Sequence, residues 1–263
     1  MTTWEAILLG ILQGATEFLP VSSSGHLVMA QALLDIEMPG VLFEVWVHMA
    51  TLLSILLIYR TRIRALARGA LSGDRSALEY TGLIALATMP AVFVGLFLGD
   101  FLKVLFENPV IPGLALLVTG AVLWTSRRVP VRSEENRLRW IAALVIGLAQ
   151  AFALIPGISR SGTTVVAALW LGLEAEDAAA FSFLMAIPVI AGATLLQLPE
   201  IGVAQVPPAP MLLLAGAAAA LTGVLAIRTF ITTLTKGSFH LFAVYCWVMG
   251  AVFLTYLWVE SGG

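Results

Sequence analysis

Charged residues and cysteine are scarce in this chain of 263 residues. Only 11% of the residues are charged and 60% are hydrophobic, which is far too apolar for a soluble domain of this size. The chain has a single cysteine, Cys246, which excludes an intrachain disulfide and argues against a thiolate metal site. We therefore expect Cys246 to be a small packing residue. The formal net charge of -2, with no basic tract outside short loops, argues against nucleic acid as a partner. The chain therefore belongs in a membrane.

Six segments have the length of about 17 to 25 mostly apolar residues that a bilayer-spanning helix needs. They are Phe43 to Tyr59, Leu78 to Leu98, Val110 to Thr125, Phe181 to Leu198, Met211 to Ile227 and Phe239 to Trp258. Two further apolar regions, Trp4 to Leu34 and Trp140 to Leu173, are interrupted by Pro, Gly and several Ser. Neither of these two regions is predicted to be one continuous span.

The distribution of Lys and Arg predicts the topology. These residues are concentrated in three short loops, Arg60 to Arg75, Arg127 to Arg139 and Arg228 to Lys236, which the positive-inside rule makes cytoplasmic. Acidic or Pro-rich segments fall outside: Asp35 to Gly40, Asp100 to Pro109 and Glu200 to Pro210. The second interrupted region then enters and leaves on one side. Such a re-entrant hairpin is tolerated where protein or a water-filled cavity satisfies its backbone.

The two interrupted regions align when the sequence is shifted by 137 positions. Identical residues then coincide: Gly10, Gln13, Ser22, Ser24, Gly25, Val28 and Ala30 fall on Gly147, Gln150, Ser159, Ser161, Gly162, Val165 and Ala167. We therefore expect an all-α polytopic membrane protein in one domain, residues 1–263, with six full spans and two re-entrant helix-loop-helix hairpins. Its halves, about 1–126 and 139–263, form an inverted repeat, a fold class that places its site near the midplane.

Three ionisable residues lie well inside the interrupted regions, away from Glu5 at the start of the first one. Glu17 and His26 are in the first region and Arg160 is in the second; such groups inside apolar segments are costly and usually face partners, cavities or substrate. The repeats differ at these positions, because Glu17 aligns with Leu154 and Ser23 aligns with Arg160. Only the two hairpins together supply a full set of acid, base and fixed cation.

Arg160 lies between two hydroxyl residues at an expected helix start, an arrangement that is suited to binding phosphate. Backbone N–H groups, the helix dipole and the guanidinium would converge on one anion. The alternative is an ion pair with Glu17 that holds the hairpins together. Expected substrate contacts come from both loops: Ser22, Ser24, Gly25, Ser159, Ser161, Gly162, Thr163 and Thr164.

Gln13 and Glu17 are four residues apart and share one helical face. Their oxygens are suited to Mg²⁺ or Ca²⁺, with phosphate and water completing the shell; the alternative is a helix-packing hydrogen bond. Glu44 is a candidate for a further carboxylate ligand or for an interfacial acid.

Ser23 and His26 lie one turn apart if a helix begins near Ser24. The imidazole would then reach a serine hydroxyl as general base; alternatively it activates water, protonates the leaving group or only caps the helix. His48 and His240 lack comparable polar neighbours in the sequence and are interpreted as structural.

Three runs carry a resemblance: Gln13 to Glu17, Pro20-Val-Ser-Ser-Ser-Gly-His26 and Pro156-Gly-Ile-Ser-Arg-Ser-Gly-Thr-Thr164. They closely resemble the signature regions of the undecaprenyl-pyrophosphate phosphatase family, also known as bacitracin-resistance proteins, and the segment layout agrees over nearly the whole chain. The resemblance implies a multi-pass enzyme of the bacterial inner membrane. It removes the terminal phosphate of undecaprenyl pyrophosphate, which recycles the lipid carrier for peptidoglycan synthesis, and it depends on a divalent cation at a site facing the periplasm.

The family's functional residues carry over onto this sequence. Its acidic pair falls on Gln13 and Glu17, its serine and histidine on Ser23 and His26, and its arginine on Arg160. The nucleophile stays open among Ser23, His26 and water. The expected partners are the lipid substrate and the bilayer, with a homodimer as one option for the assembly.

Two other functions stay open at this point. A secondary transporter or a flippase of an isoprenoid phosphate fits an inverted repeat with broken helices, although the His, Ser, Glu and Arg grouping is richer in proton-transfer groups than anion binding requires. The histidine-nucleophile lipid phosphatases also have Ser-Gly-His and Ser-Arg motifs. No second His follows Ser159 and Arg160 at a useful spacing, which argues against that class.

Overall fold

A computed structural model describes residues 1–34, 41–129, 138–201 and 207–262, where helices are the only regular elements. The loop predicted at Asp35 to Gly40 and parts of those at Arg127 to Arg139 and Glu200 to Pro210 lie outside the described residues. The described α-helices are α1 Thr3–Phe18, α2 Ser23–Leu34, α3 Val41–Ile58, α4 Arg60–Ser72, α5 Arg75–Phe97, α6 Gly99–Glu107, α7 Val110–Thr125, α8 Trp140–Phe152, α9 Arg160–Trp170, α10 Ala175–Ile201, α11 Ala209–Thr235 and α12 Phe242–Ser261.

Each predicted span corresponds to one long helix, namely α3, α5, α7, α10, α11 or α12. Among the described residues, five helices are long and apolar enough to cross a bilayer, and a sixth crossing results if α3 and α4 are counted together. The chain is therefore a multi-pass membrane protein. Each interrupted region forms two helices joined by a turn, α1 with α2 and α8 with α9, as its Pro and Gly residues predicted.

Three segments predicted as loops are largely helical, and one of them, Arg228 to Lys236, is the last part of α11 up to Thr235. α4 occupies most of the Arg60 to Arg75 segment and is bent by 81° from α3, and α6 occupies most of the Asp100 to Pro109 segment. The prediction was wrong here because charge was taken to mark a loop, whereas Arg, Ala and Leu are strong helix formers. After α4, Asp74 caps α5: the Ser76 hydroxyl and the Ala77 N–H both donate to its carboxylate, and these bonds lower the pKa of Asp74.

Glycine contacts fix the first helix of each interrupted region. Gly10 on α1 lies against the backbone of Ala215 on α11, and Gly147 on α8 lies against the backbone of Ala87 on α5, so that a Cβ at either glycine would collide with its neighbour. Small residues allow helices in a membrane to approach this closely. The same sequence position in each repeat therefore anchors a broken helix on a long one.

A buried aromatic cluster lies directly beside the end of α1. The Phe183 ring on α10 meets the Phe18 ring edge-on at a centroid distance of 5.6 Å and the Phe230 ring at 5.0 Å, and Phe230 meets Phe239 at 4.9 Å. Edge-to-face rings at these distances are favourable beyond the area that they bury. Because Phe18 follows Glu17, this cluster holds the end of α1 that carries the acidic candidate.

Candidate active site

The turn between α1 and α2 contains the first Ser/Gly motif. Ser22 has a φ of 69°, in the left-handed region that costs a residue with a side chain roughly 1–2 kcal/mol. Two hydrogen bonds offset this cost: the Gly25 N–H donates to Ser22 Oγ at 3.3 Å and the His26 N–H donates to the Ser22 carbonyl at 3.2 Å. Ser22 therefore caps α2 and directs its own carbonyl toward His26.

The turn between α8 and α9 has a matching cap. Ser159 accepts a hydrogen bond from the Gly162 N–H at 3.1 Å, and Gly157 has a φ of 96°, which only glycine adopts freely. Thr119 on α7 fixes this turn from outside. Its hydroxyl donates to the Gly157 carbonyl at 2.9 Å and accepts from the Ser159 N–H at 3.0 Å.

The two turns touch each other. A Cβ added at Gly25 would lie 3.0 Å from the Gly157 Cα, and the Ser161 hydroxyl donates to the Leu19 carbonyl at 3.3 Å. The expected convergence of the two Ser/Gly loops is therefore present.

Glu17 is the centre of the polar contacts between the turns. Its Oε1 lies 2.7 Å from Arg160 Nη2, and its Oε2 accepts hydrogen bonds from Ser23 Oγ at 2.7 Å and from Gln13 Nε2 at 3.1 Å. The Glu17 and Arg160 side chains are only 8% and 14% exposed. The Arg160 guanidinium also lies 3.5 Å from the Ser182 carbonyl on α10. The ion pair between Glu17 and Arg160 that was considered from the sequence is therefore present. The Ser23 hydroxyl donates its hydrogen to the same carboxylate.

His26 does not pair with Ser23. Its Nδ1 lies 2.8 Å from the Ser22 carbonyl and its Nε2 lies 2.8 Å from the Tyr245 hydroxyl on α12, while Ser23 donates to Glu17. The predicted pairing of Ser23 with His26 was therefore wrong. Both ring nitrogens have other partners, the Ser22 carbonyl and the Tyr245 hydroxyl, and spacing along one helix does not reveal a partner on a distant helix.

His48 was wrongly set aside as structural. Its Nε2 lies 3.8 Å from Glu17 Oε2, its Nδ1 lies 2.8 Å from the Glu44 carbonyl, and Glu44 is hydrogen-bonded to Gln31. Glu44 and His48 are four residues apart, so a shared face of α3 was the available signal. His240 does lie away from these contacts, next to the Gly237 carbonyl.

Most hydroxyls expected to bind substrate already have partners within the protein. The Ser22 and Ser24 hydroxyls are 3.3 Å apart, as are those of Ser159 and Ser161, and Thr164 bonds Ser182 at 2.6 Å. The Thr163 hydroxyl differs, because it is buried and has no partner. Thr163 is therefore a donor still available to an anion, whereas Thr164 stabilises the junction between α9 and α10.

The residues expected to hold a cation form a partial ligand set. Gln13 Oε1 is buried beside Glu17 and has no hydrogen-bond partner. A buried oxygen without a partner is consistent with a position where a ligand binds. No group of three or more His, Cys, Asp or Glu suited to a metal occurs among the described residues. Gln13 and Glu17 therefore fit a cation whose remaining ligands are phosphate and water, which is the usual arrangement for Mg²⁺.

Comparison with known proteins adds an independent finding. Residues 6–252 match the family described as bacitracin resistance protein BacA. The undecaprenyl-diphosphatase of Desulfatibacillum aliphaticivorans is 40% identical over 95% of this chain and 97% of its own length. Proteins with the same name from Syntrophotalea carbinolica and Methanococcus maripaludis are 42% and 35% identical, each over 96% of this chain and over 98% and 100% of their own lengths.

Proposed function

The chain belongs to the bacitracin resistance protein BacA family, and on that premise we propose that it is a membrane undecaprenyl-diphosphatase, which releases phosphate from undecaprenyl pyrophosphate. The observation that carries the proposal is the buried cluster of Arg160, Glu17 and Ser23, in which a cation, a carboxylate and a hydroxyl lie within 2.7 Å contacts. A phosphatase needs these groups as anion binder, proton acceptor and nucleophile.

The two broken helices are re-entrant hairpins, and the halves of the protein are inverted repeats. Support comes from the reciprocal packing of α1 on α11 and α8 on α5 through Gly10 and Gly147. The N-terminal caps of α2 and α9 give further support. The distance between the Ser22 and Ser24 hydroxyls is 3.3 Å, the same as the distance between the Ser159 and Ser161 hydroxyls. Six full spans accompany the hairpins.

The site lies near the middle of the membrane and opens outward, to the periplasm if the protein resides in a bacterial inner membrane. His48 is seven residues from the outer end of α3, and Ser182 is seven residues from the inner end of α10, so each lies about 10 Å from its end. His48 is 30% exposed, whereas Ser182 is fully buried. Access from the outer side therefore fits the contacts of the cluster.

Arg160 binds the pyrophosphate by exchanging one anion for another. In the substrate-free protein Glu17 neutralises Arg160, because an unpaired buried cation would be strongly destabilising. The pyrophosphate brings negative charge and takes over the guanidinium, with the Thr163 hydroxyl and the backbone N–H groups of α9 as further donors. Glu17 is then released by Arg160, and its Oε2, which lies beside the Ser23 hydroxyl, is the proton acceptor.

Ser23 attacks the terminal phosphorus while Glu17 accepts its proton. A bond forms between Ser23 Oγ and phosphorus, the bond from phosphorus to the bridging oxygen breaks, and undecaprenyl phosphate leaves. Water then attacks the phosphoserine, giving one proton to His26, and Glu17 returns its proton to Ser23 as phosphate departs. Positioning and electrostatics supply most of the rate enhancement in such phosphoryl transfers.

Gln13 and Glu17 would hold the divalent cation, Mg²⁺ or Ca²⁺. When bound, it would neutralise charge on the pyrophosphate oxygens. The unpartnered Gln13 Oε1 supports this assignment.

The transporter or flippase alternative is not favoured, because the relatives carry the name undecaprenyl-diphosphatase. Phosphate release from a polyprenyl pyrophosphate by the purified protein tests the proposal, with Arg160→Ala and Glu17→Ala expected to abolish turnover. Arg62→Ala is the matched control, since it breaks an Arg–carboxylate pair of 2.9 Å with Asp177 elsewhere. Substrate binding without phosphate release, or full turnover by either site variant, contradicts the proposal.

The outward opening has a separate test. A membrane-impermeant pyrophosphate analogue should inhibit when added to sealed vesicles from the side that carries the α3 N-terminus. Inhibition from the opposite side only would place the opening on the inner face.

A further inference from the structure

α12 reaches the first turn through two consecutive residues. The Tyr245 hydroxyl lies 2.8 Å from His26 Nε2, and the Cys246 thiol lies 3.6 Å from the Pro20 carbonyl. In the next position the Trp247 indole donates to the Leu117 carbonyl on α7 at 3.1 Å. Tyr245 therefore lies on a helix whose next two residues contact the first turn and α7.

The contacts of His26 determine which nitrogen carries the hydrogen. A carbonyl only accepts, so the 2.8 Å contact of Nδ1 with the Ser22 carbonyl places the hydrogen on Nδ1. The Nε2 of the neutral ring then has a lone pair, and the Tyr245 hydroxyl donates to it. The Ser22 carbonyl therefore fixes the tautomer, and the two hydrogen bonds together fix one ring orientation.

Because His26 is buried, the Tyr245 hydroxyl is hard to replace as its hydrogen-bond partner. His26 is 5% exposed, and the two rings are nearly parallel, with an interplanar angle of 8° and a centroid distance of 5.7 Å. A buried nitrogen that loses its only donor is left unsatisfied. Without the phenol, the Nδ1–H bond to Ser22 still fixes the tautomer, but the ring loses its second hydrogen bond and Nε2 is no longer held in one direction.

We propose that Tyr245 is a positioning residue that fixes the orientation of the His26 ring, so that Nε2, which carries no hydrogen, is the nitrogen that takes up the proton of the hydrolytic water. After His26 has released that proton to solvent, Nε2 again accepts a hydrogen bond from the phenol. This inference rests on the proposed phosphatase function for its catalytic part, whereas the hydrogen bond from Tyr245 to Nε2 is tested without substrate.

Tyr245→Phe removes the hydroxyl and keeps the ring, and Cys246→Ala is the matched control, because it removes the neighbouring contact of α12 with the same turn. The full chain is labelled with ¹⁵N-histidine and reconstituted in lipid. Its imidazole ¹⁵N resonances are recorded, with His48→Gln and His240→Gln used only for assignment. In the wild type we expect His26 to show one protonated Nδ1 and one hydrogen-bonded Nε2. In Tyr245→Phe we expect Nδ1 to stay protonated and the Nε2 resonance to move to the position of a nitrogen that accepts no hydrogen bond, and in Cys246→Ala we expect the wild-type pattern.

Turnover provides the second readout. Loss of one buried hydrogen bond predicts that kcat of Tyr245→Phe falls about three- to tenfold, with KM within about twofold of the wild type. Cys246→Ala should keep the wild-type kcat. An equal loss in both variants would mean that Tyr245 only fixes α12, and this overturns the proposal.

The outcomes separate the two hypotheses. If the wild type releases no phosphate, the proposed function fails, while the resonances still test the hydrogen bond from Tyr245 to Nε2. If the wild type is active, an unchanged Nε2 resonance or an unchanged kcat in Tyr245→Phe overturns the role of Tyr245. Should Tyr245→Phe fail to fold, a wild-type Nε2 resonance without a hydrogen bond overturns the proposal, and a hydrogen-bonded Nε2 beside a protonated Nδ1 supports it.

Discussion

Arg160 Nη2 lies 2.7 Å from Glu17 Oε1, although 143 residues of chain separate the two side chains. Each comes from a different broken helix, and both are largely buried. The pair makes the two turns mutually dependent, because either charge alone would be left unpaired in an apolar interior. It also brings the proposed anion-binding group, Arg160, into contact with the proposed proton acceptor, Glu17. Bound substrate would separate these two side chains.

Replacing Arg160 by Lys should impair turnover even though the charge is kept. A guanidinium donates to Glu17 and toward the Ser182 carbonyl from separate nitrogens, whereas an ammonium is a single point charge that cannot grip two phosphate oxygens in a fixed fork. We expect kcat/KM to fall about 10²-fold, measured by phosphate release. Arg62→Lys, in the pair with Asp177, should stay close to wild type. Equal activity of Arg160→Lys and wild type would contradict fork recognition.

Glu17→Gln should bind a non-hydrolysable isoprenoid diphosphonate more tightly while losing turnover. The substitution removes the anion that competes for Arg160, so the dissociation constant is expected to fall about tenfold, or about 1.4 kcal/mol. Calorimetry in detergent with a chelator of divalent cations measures it, with Asp177→Asn as the control that frees Arg62 instead. Weaker binding under these conditions would contradict the exchange of anions at Arg160.

Gly25→Ala should separate the two turns. The added Cβ would lie 3.0 Å from the Gly157 Cα, and backbone cannot yield as a flexible side chain can. We expect a lower Tm and a lower kcat together, from thermal unfolding in detergent and from the phosphate assay. Gly82→Ala on α5 is the matched control, since a Cβ there meets nothing within 4 Å. A normal Tm and kcat in Gly25→Ala would mean that the turns tolerate separation.

Ser23 should carry phosphate during turnover. Its hydroxyl donates to Glu17 at 2.7 Å, which prepares it for deprotonation. Acid quenching during steady-state turnover, followed by mass spectrometry of the peptide, should detect phosphoserine at Ser23. Ser23→Ala should lose both the phosphopeptide and the activity. Attack by water instead predicts no phosphopeptide and residual turnover in Ser23→Ala.

The helices of the membrane region were largely predictable from the sequence. Long apolar runs determine where spans lie, so α7 was predicted with its observed bounds, Val110–Thr125. The family resemblance carried by the two Ser/Gly motifs was also confirmed. α4 and α6 were missed, because amphipathic helices at a membrane edge have the same charge pattern as loops.

The partners within the site were less predictable. Arg160 and Glu17 could be associated, since buried opposite charges seek each other. The contact of His26 with Tyr245 spans 219 residues, and no local pattern distinguishes Tyr245 from an interfacial aromatic residue. The role of Ser23 as a donor to Glu17 depends on the left-handed conformation of Ser22, which the residue type alone does not predict.

α7 and α12 together contact both Ser/Gly turns. Thr119 on α7 bonds the second turn, Tyr245 on α12 bonds the first, and the indole of Trp247 lies against Gly120 where the two helices meet. A lipophilic compound that wedges into this seam would disturb both turns at once without competing for the diphosphate. Inhibition would then be non-competitive, and raising the substrate concentration would not relieve it.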